Sequence, residues 1–387
     1  MLHKKRWILI FILLISNVYA EITFSGDARL RPRFDVKDNG EYGTKSEDFY
    51  YYYRARLMIK ADIGDGYFFN TRLGHNGSAY WTGKFGTGVT PSSLSNPSAG
   101  RGSVDFMELY LGHQGEKFSW SGGIIPVPHN PALDIHFYPE LILDKAWDTY
   151  NNNAAHGFDL NYKLGGHGLD LKILVDDNNG KKVVDKNFAA VSDTTITYII
   201  DQDSGSIRLD TTITTTGSAD SDTKDQYSLY LTYPVSVLGF KLSPHFLMTL
   251  ADKGRPAPIT YGAEFALPKV AGFKVSAFTG LTSQSVSDST TGVDAYNGWI
   301  TRMKMVGKLG PGVLVAWYDL ASTTPDAAGS VKSNFSYLWL SYTYTLHKSD
   351  WGAMVVAPTY RLLSHKIEGS RDYTRAKIEL TTQITFK

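Results

Sequence analysis

Between Phe49 and Ile63 the chain alternates with a period of two. Phe49, Tyr51, Tyr53, Ala55, Leu57, Ile59, Ala61 and Ile63 fall on one face, and Tyr50, Tyr52, Arg54, Arg56, Lys60 and Asp62 on the other. The preceding stretch behaves alike: Ile22, Phe24, Gly26, Ala28, Leu30 and Phe34 lie opposite Thr23, Ser25, Asp27, Arg29, Arg31 and Arg33. Alternation over about 13–15 residues is far longer than the roughly 5–6 of a typical soluble strand. It suits a tilted strand crossing a bilayer, which takes about 9–11 residues in the hydrocarbon plus extensions at either end.

Further alternating segments are expected near 66–75, 104–113, 117–125, 154–164, 168–176, 226–235, 238–250, 257–267, 271–282, 297–306, 311–320, 334–346, 351–363 and 372–386, which makes sixteen strands. Short, turn-rich links such as Gly64-Asp65-Gly66 take turns with longer polar segments such as 35–48, 76–103, 126–153 and 177–225. An even number of strands joined by short periplasmic turns and long extracellular loops is the layout of a transmembrane antiparallel β-barrel. The segment 177–225 holds two β-like stretches, so eighteen strands is the alternative count. A large soluble β-sandwich would also alternate. A solenoid is not expected, because no repeat of 20–50 residues is visible.

Composition agrees with the barrel. Aromatic residues make up 13% of a chain that is only 42% hydrophobic, and rings gather at the two membrane interfaces of a barrel. Tyr51, Tyr53, Phe34, Trp317 and Tyr360 suit an outer belt, and Phe24, Tyr342, Tyr344 and Phe386 an inner one. No cysteine is present among 387 residues, which excludes disulfide scaffolds, thiolate metal sites and thiol catalysis. The near balance of 39 basic and 38 acidic residues does not favour nucleic acid as a partner. Lys4, Lys5 and Arg6 precede an apolar run from Trp7 to Ile15 and the small-residue pattern of Val18-Tyr19-Ala20. Residues 1–20 therefore read as a secretory signal peptide, and 21–387 as one barrel domain.

Three stretches resemble Gram-negative outer-membrane porins: Phe49 to Lys60, Asp105 to Leu111, and Ser119 to Pro128. The final strand, Ala376 to Phe386, is similar to the terminal signal read by the barrel assembly machinery, although Lys387 follows the aromatic that usually ends it. The resemblance implies a general-diffusion-like channel in the bacterial outer membrane, surrounded by bilayer lipid and lipopolysaccharide and assembled as a homotrimer. It implies no enzyme activity and no cofactor.

The parity of the strands points to the chemistry of the lumen. Arg29, Arg31, Arg33, Arg54, Arg56, Lys60, Arg72, Arg361, Arg375 and Lys377 share inward faces with only Asp27, Asp62 and Glu379. At the bilayer midplane a lipid-facing Arg or Lys costs about 2–4 kcal/mol, so these cations are expected to face water or an acidic partner. That partner is expected in the third long loop, 126–153, which carries Asp134, Glu140, Asp144 and Asp148. Its apolar residues Leu133, Ile135, Phe137, Leu141 and Ile142 would let it fold inward and set its carboxylates opposite the basic arc. Such a transverse field favours anions. Alternatively, loop carboxylates or lipopolysaccharide merely neutralise the wall.

Other chemistry is weakly indicated. The ten His show no H-E-x-x-H or His-x-His spacing, so no metal site is expected. Asp144 with Asp148 has no second element to support acid–base catalysis. The functional expectation is passive passage of small hydrophilic solutes and ions with modest anion preference. The alternatives are a channel selective for carboxylated or phosphorylated solutes, and a non-conducting adhesion or scaffold barrel.

Overall fold

The computed structural model describes residues 21–39, 44–74, 83–86, 104–127, 130–137, 154–175, 191–200, 207–216, 227–250, 256–286, 296–325, 331–369 and 372–387. Among them run β1 (Glu21–Asn39), β2 (Thr44–Gly64), β3 (Tyr67–Gly74), β4 (Gly83–Gly86), β5 (Asp105–Gln114) and β6 (Phe118–Pro126). Helix α1 (Pro131–Phe137) follows, then β7 (Ala154–Leu164), β8 (His167–Val175), β9 (Val191–Ile200) and β10 (Ile207–Thr216). The second half holds β11 (Tyr227–Thr232), β12 (Val235–Val237), β13 (Phe240–Leu250), β14 (Pro256–Ala266), β15 (Phe273–Val286) and β16 (Tyr296–Leu309). The last strands are β17 (Gly312–Pro325), β18 (Ser333–Ser349), β19 (Gly352–Ile367) and β20 (Tyr373–Phe386).

Each strand of the main sheet pairs antiparallel with its neighbours, and β1 pairs with both β2 and β20, so the sheet closes on itself. β3 and β4 pair with successive stretches of β2, and β11 and β12 with successive stretches of β13. Counting each of these couples as one stave gives sixteen. β9 and β10 pair only with each other in a separate two-stranded sheet. The alternative of eighteen barrel strands is thereby corrected: the β-like stretches of segment 177–225 make a hairpin outside the wall.

Closure of β1 on β20 leaves the sheet without a free first or last strand, as a bilayer demands because no water is available to pair exposed backbone groups. The outward positions carry the apolar residues expected of them: Phe24, Leu30, Leu111, Phe158, Leu281 and Ile378 are all exposed. At the closing seam Gly26 lies opposite Phe386, and a side chain at that glycine would run into the terminal ring. β1 and β2 extend past the expected strand ends to Asn39 and back from Thr44, so Asp35 belongs to the wall and not to a loop. Tight turns use αL residues in pairs. Asp65 and Gly66 have φ of 51° and 81°, and Leu238 and Gly239 have 51° and 83°, the pattern of two-residue hairpins.

Candidate pore constriction

Alternation puts Asp27, Arg29, Arg31, Arg33 and Asp35 of β1 on the inner face, and register decides what they meet. Asp27 lies opposite Arg56, Arg29 opposite Arg54, Arg33 opposite both Tyr50 and Glu379, and Asp35 opposite Lys377. β19 adds Arg361 beside Lys377. The result is a set of carboxylate hubs. Asp27 takes Arg56 at 2.6 Å, Arg54 at 3.1 Å and Arg29 at 3.7 Å. Glu379 takes Arg33, Arg361 at 2.8 Å and Arg31 at 3.6 Å. Asp35 accepts two hydrogen bonds from Arg375, at 2.8 and 2.6 Å, with Lys377 at 4.0 Å.

Eight cations thus converge on three carboxylates among the described residues. Neutral donors and rings complete the packing. The Tyr50 hydroxyl donates to Asp35 at 2.6 Å, Arg31 Nε donates to the Thr381 hydroxyl at 2.7 Å, and the Arg33 guanidinium lies 4.7 Å from the Tyr52 ring centroid. Arg72 pairs with Glu108 at 2.7 Å, and Lys60 is exposed. The expected inward anions therefore need correction: Asp35 and Glu108 join Asp27 and Glu379, and the wall is more nearly neutralised than alternation alone implied. From sequence alone, segment 35–48 reads as a loop that takes in Asp35, and Glu108 is absent from the expected lumenal set. The parity of Arg72, its cross-strand partner, was the available signal.

The third long loop turns inward at least along α1. Asn130 caps the helix, its side-chain oxygen accepting from the Leu133 amide at 3.1 Å while its amide donates to the Tyr230 hydroxyl at 3.0 Å. Pro131, Ala132, Leu133, Ile135 and His136 are buried, and α1 packs on β13, β14, β15 and β16. Leu133 and Ile135 join Leu247, Phe278 and Ile300 in an apolar core inside the barrel. Round the ring of staves, β13 to β16 face β1, β2, the β3–β4 stave and β5, so Arg29, Arg31, Arg33, Arg54, Arg56 and Arg72 lie across the lumen from this seat, with β19 and β20 beside them.

His136 is clamped between two hydroxyls. Its Nδ1 lies 2.9 Å from Thr260 Oγ1 and its Nε2 2.9 Å from Thr249 Oγ1. Those threonines continue to Thr282 and Ser228, at 2.9 and 2.7 Å. Burial without a counter-ion pushes the imidazole down to about 3, so it sits neutral. Asp134 is half-buried on α1, while Glu140 and Asp144 lie outside the described residues, as does the expected signal peptide.

A second correction concerns Trp317. It does not join an outer aromatic belt: it faces Lys304 and Trp339 on the inner surface and stacks on Trp339 with ring centroids 4.5 Å apart. Nearby, Arg302 makes two 2.7 Å hydrogen bonds to a buried Asp319. Phe24, Tyr344 and Phe386 are exposed near the turn end of the barrel, the place foreseen for the inner belt.

A closed sixteen-stave barrel with an apolar outer face, a polar lumen and one loop folded inside has the architecture of a porin, and such a barrel belongs in the bacterial outer membrane. Solved structures share the fold. The outer-membrane channel DcaP of Acinetobacter baumannii superposes with a TM-score of 0.56 at 13% identity, over 95% of this chain and 97% of that one. OmpT of Vibrio cholerae in its trimer form gives 0.52 at 8% identity, over 94% and 99%. An anion-selective porin from Comamonas acidovorans gives 0.51 at 12% identity, over 95% and 100%. No protein-family model matches the sequence, and no curated protein matches it by sequence.

Proposed function

We propose that the protein is a water-filled channel through which small hydrophilic solutes and ions diffuse passively, with modest preference for anions. The observation that carries this reading is the convergence of eight cations on three carboxylates, five of the eight on the β1 and β2 staves that face α1 across the lumen. Sixteen staves enclose an aqueous lumen where eight would be filled by side chains, and α1 narrows it from one side. An excess of fixed positive charge on the other side concentrates anions in the gap. In this reading Arg29, Arg31, Arg33, Arg54, Arg56, Lys60, Arg72, Arg375 and Lys377 line the passage and set its preference. Asp134, with Glu140 and Asp144, supplies the opposing charge. The channel title of DcaP and the anion-selective title of the Comamonas porin support the reading by likeness of fold.

Residues 1–20 serve as the export signal in this account, the short turns face the periplasm, and the barrel assembles as a trimer within lipid and lipopolysaccharide. The trimer form of Vibrio OmpT supports that assembly by likeness. The channel has no catalytic role. The reading is tested by reversal potentials of the purified protein in planar bilayers under a KCl gradient. A potential of the sign that chloride permeation produces is expected, and cation selectivity overturns the preference.

A further inference from the structure

One inner-surface row differs from the rest of the wall. Register sets Lys304 beside Trp317, Trp317 beside Trp339, Trp339 beside Arg361, and Arg361 beside Lys377. The two indoles are stacked, their planes 11° from parallel, and the Arg361 guanidinium lies 3.8 Å from the Trp339 centroid. Trp339 thus has close partners from both neighbouring strands. On its β16 side Trp317 has looser ones, the Arg302 guanidinium at 5.5 Å from its centroid and the Lys304 ammonium at 5.8 Å.

The two cations beside Trp317 are not equivalent. Arg302 is buried and committed to Asp319. Lys304 is exposed, and among the described residues no carboxylate forms an ion pair with it. An uncommitted ammonium beside a half-buried indole is a two-part recognition element. The ring offers a flat apolar surface to another ring, and the ammonium on its flexible four-carbon stem offers a movable charge to an anion. Elsewhere on the basic arc the arginines are already bound into the hubs.

We propose that Trp317 and Lys304 form a lumenal subsite that takes up a planar aromatic carboxylate in transit, its ring against the indole and its carboxylate on the ammonium. The lysine head swings from above the ring to its side as the solute enters. Acetate satisfies only the charged half of the site and an uncharged aromatic alcohol only the apolar half. This inference rests on the channel reading above and names a solute class for it.

The test is the KCl current through the wild-type protein in planar bilayers, interrupted by added benzoate, acetate or benzyl alcohol. Benzoate is expected to block half the current at a concentration about tenfold below that of either control. Lys304→Gln and Trp317→Leu are each expected to raise the half-blocking benzoate concentration about tenfold, and Lys304→Arg to restore most of the block. A KCl current through each variant reports that its barrel has folded. Should Trp317→Leu not fold, the exposed Lys304→Gln decides, and unchanged benzoate block in it overturns the subsite. Equal block by benzoate and acetate overturns the subsite and leaves the channel standing. Absence of any KCl current through the wild type overturns the channel reading and the subsite with it.

Discussion

Arg54 and His136 are both buried, on opposite sides of one lumen, and they are satisfied by opposite means. Arg54 belongs to an arc in which guanidinium groups crowd together and are held by Asp27, Asp35 and Glu379. His136 is an uncharged ring fixed by two threonine hydroxyls, on a helix whose Leu133 and Ile135 join Leu247, Phe278 and Ile300 in one apolar core. The arc is stable only while its few carboxylates stay ionised, because removing one partner of a buried pair strands charge in a poor solvent. The α1 seat is stable only while its histidine stays neutral. One side of the passage therefore tolerates acid poorly because it loses anions, the other because it gains a cation.

The comparison breaks most severely at Glu379. Substituting Glu379→Gln leaves Arg31, Arg33 and Arg361 without their shared carboxylate and is expected to cost about 3–5 kcal/mol. Urea-unfolding midpoints in detergent should fall accordingly, and any folded fraction should show stronger anion preference. A variant as stable as the wild type would mean that the hub is replaced by bound anions or water.

Acid tests the other side. The folded His136 titrates near 3, whereas an undocked histidine titrates near 6.5. Between those values only the undocked state takes up the proton. Docking of α1 is therefore at full strength above about pH 6.5 and weakens by about 1.4 kcal/mol per pH unit below it, reaching roughly 2 kcal/mol lost at pH 5. The current should grow and become noisier as pH falls from 7 to 5. His136→Gln, which keeps hydrogen bonding without titrating, should flatten that dependence. A wild-type current independent of pH in this window would show that α1 does not undock there.

A smaller effect is expected at the helix cap. Asn130→Ala removes the bond to the Leu133 amide and should loosen α1 by about 1 kcal/mol, visible as added current fluctuation at neutral pH and a pH dependence shifted upward. The smallest lies outside both regions. Leu238 is a fully extruded turn residue held at φ 51°, and Leu238→Asn should stabilise the barrel by about 0.5–1 kcal/mol. Because the turn touches neither the arc nor α1, the conductance and its pH profile should not change. A shift in either would show that the two regions are coupled through the wall.

Much of the architecture was legible because a membrane barrel repeats one local rule, polar inward and apolar outward, on every strand. The segment 154–164 was expected as a strand and is one. The inward set of Arg29, Arg31, Arg33, Arg54 and Arg56 followed from parity alone. Parity became ambiguous where both faces are apolar. The strand around Trp317 is such a case, because its inner surface joins the core beneath α1 through Ala321 while its outer surface meets lipid through Tyr318 and Leu320.

What the sequence by itself determined is the alternation, the even series of strands and the sign of charge carried by the inner faces of the first and last of them. These depend on side-chain direction, which changes sides at every residue of a strand whatever the strand's partners. The tertiary structure alone decided which charges meet. Glu379 serves Arg31 and Arg33 because closure sets the last strand against the first across nearly the whole chain, and a shift of register by a single residue would turn those side chains into the bilayer. It also decided that His136 of α1 is fixed between the hydroxyls of two strands. The seat consists of hydroxyl and apolar side chains from several strands, and a neutral ring can lose its water there at far smaller cost than an ion.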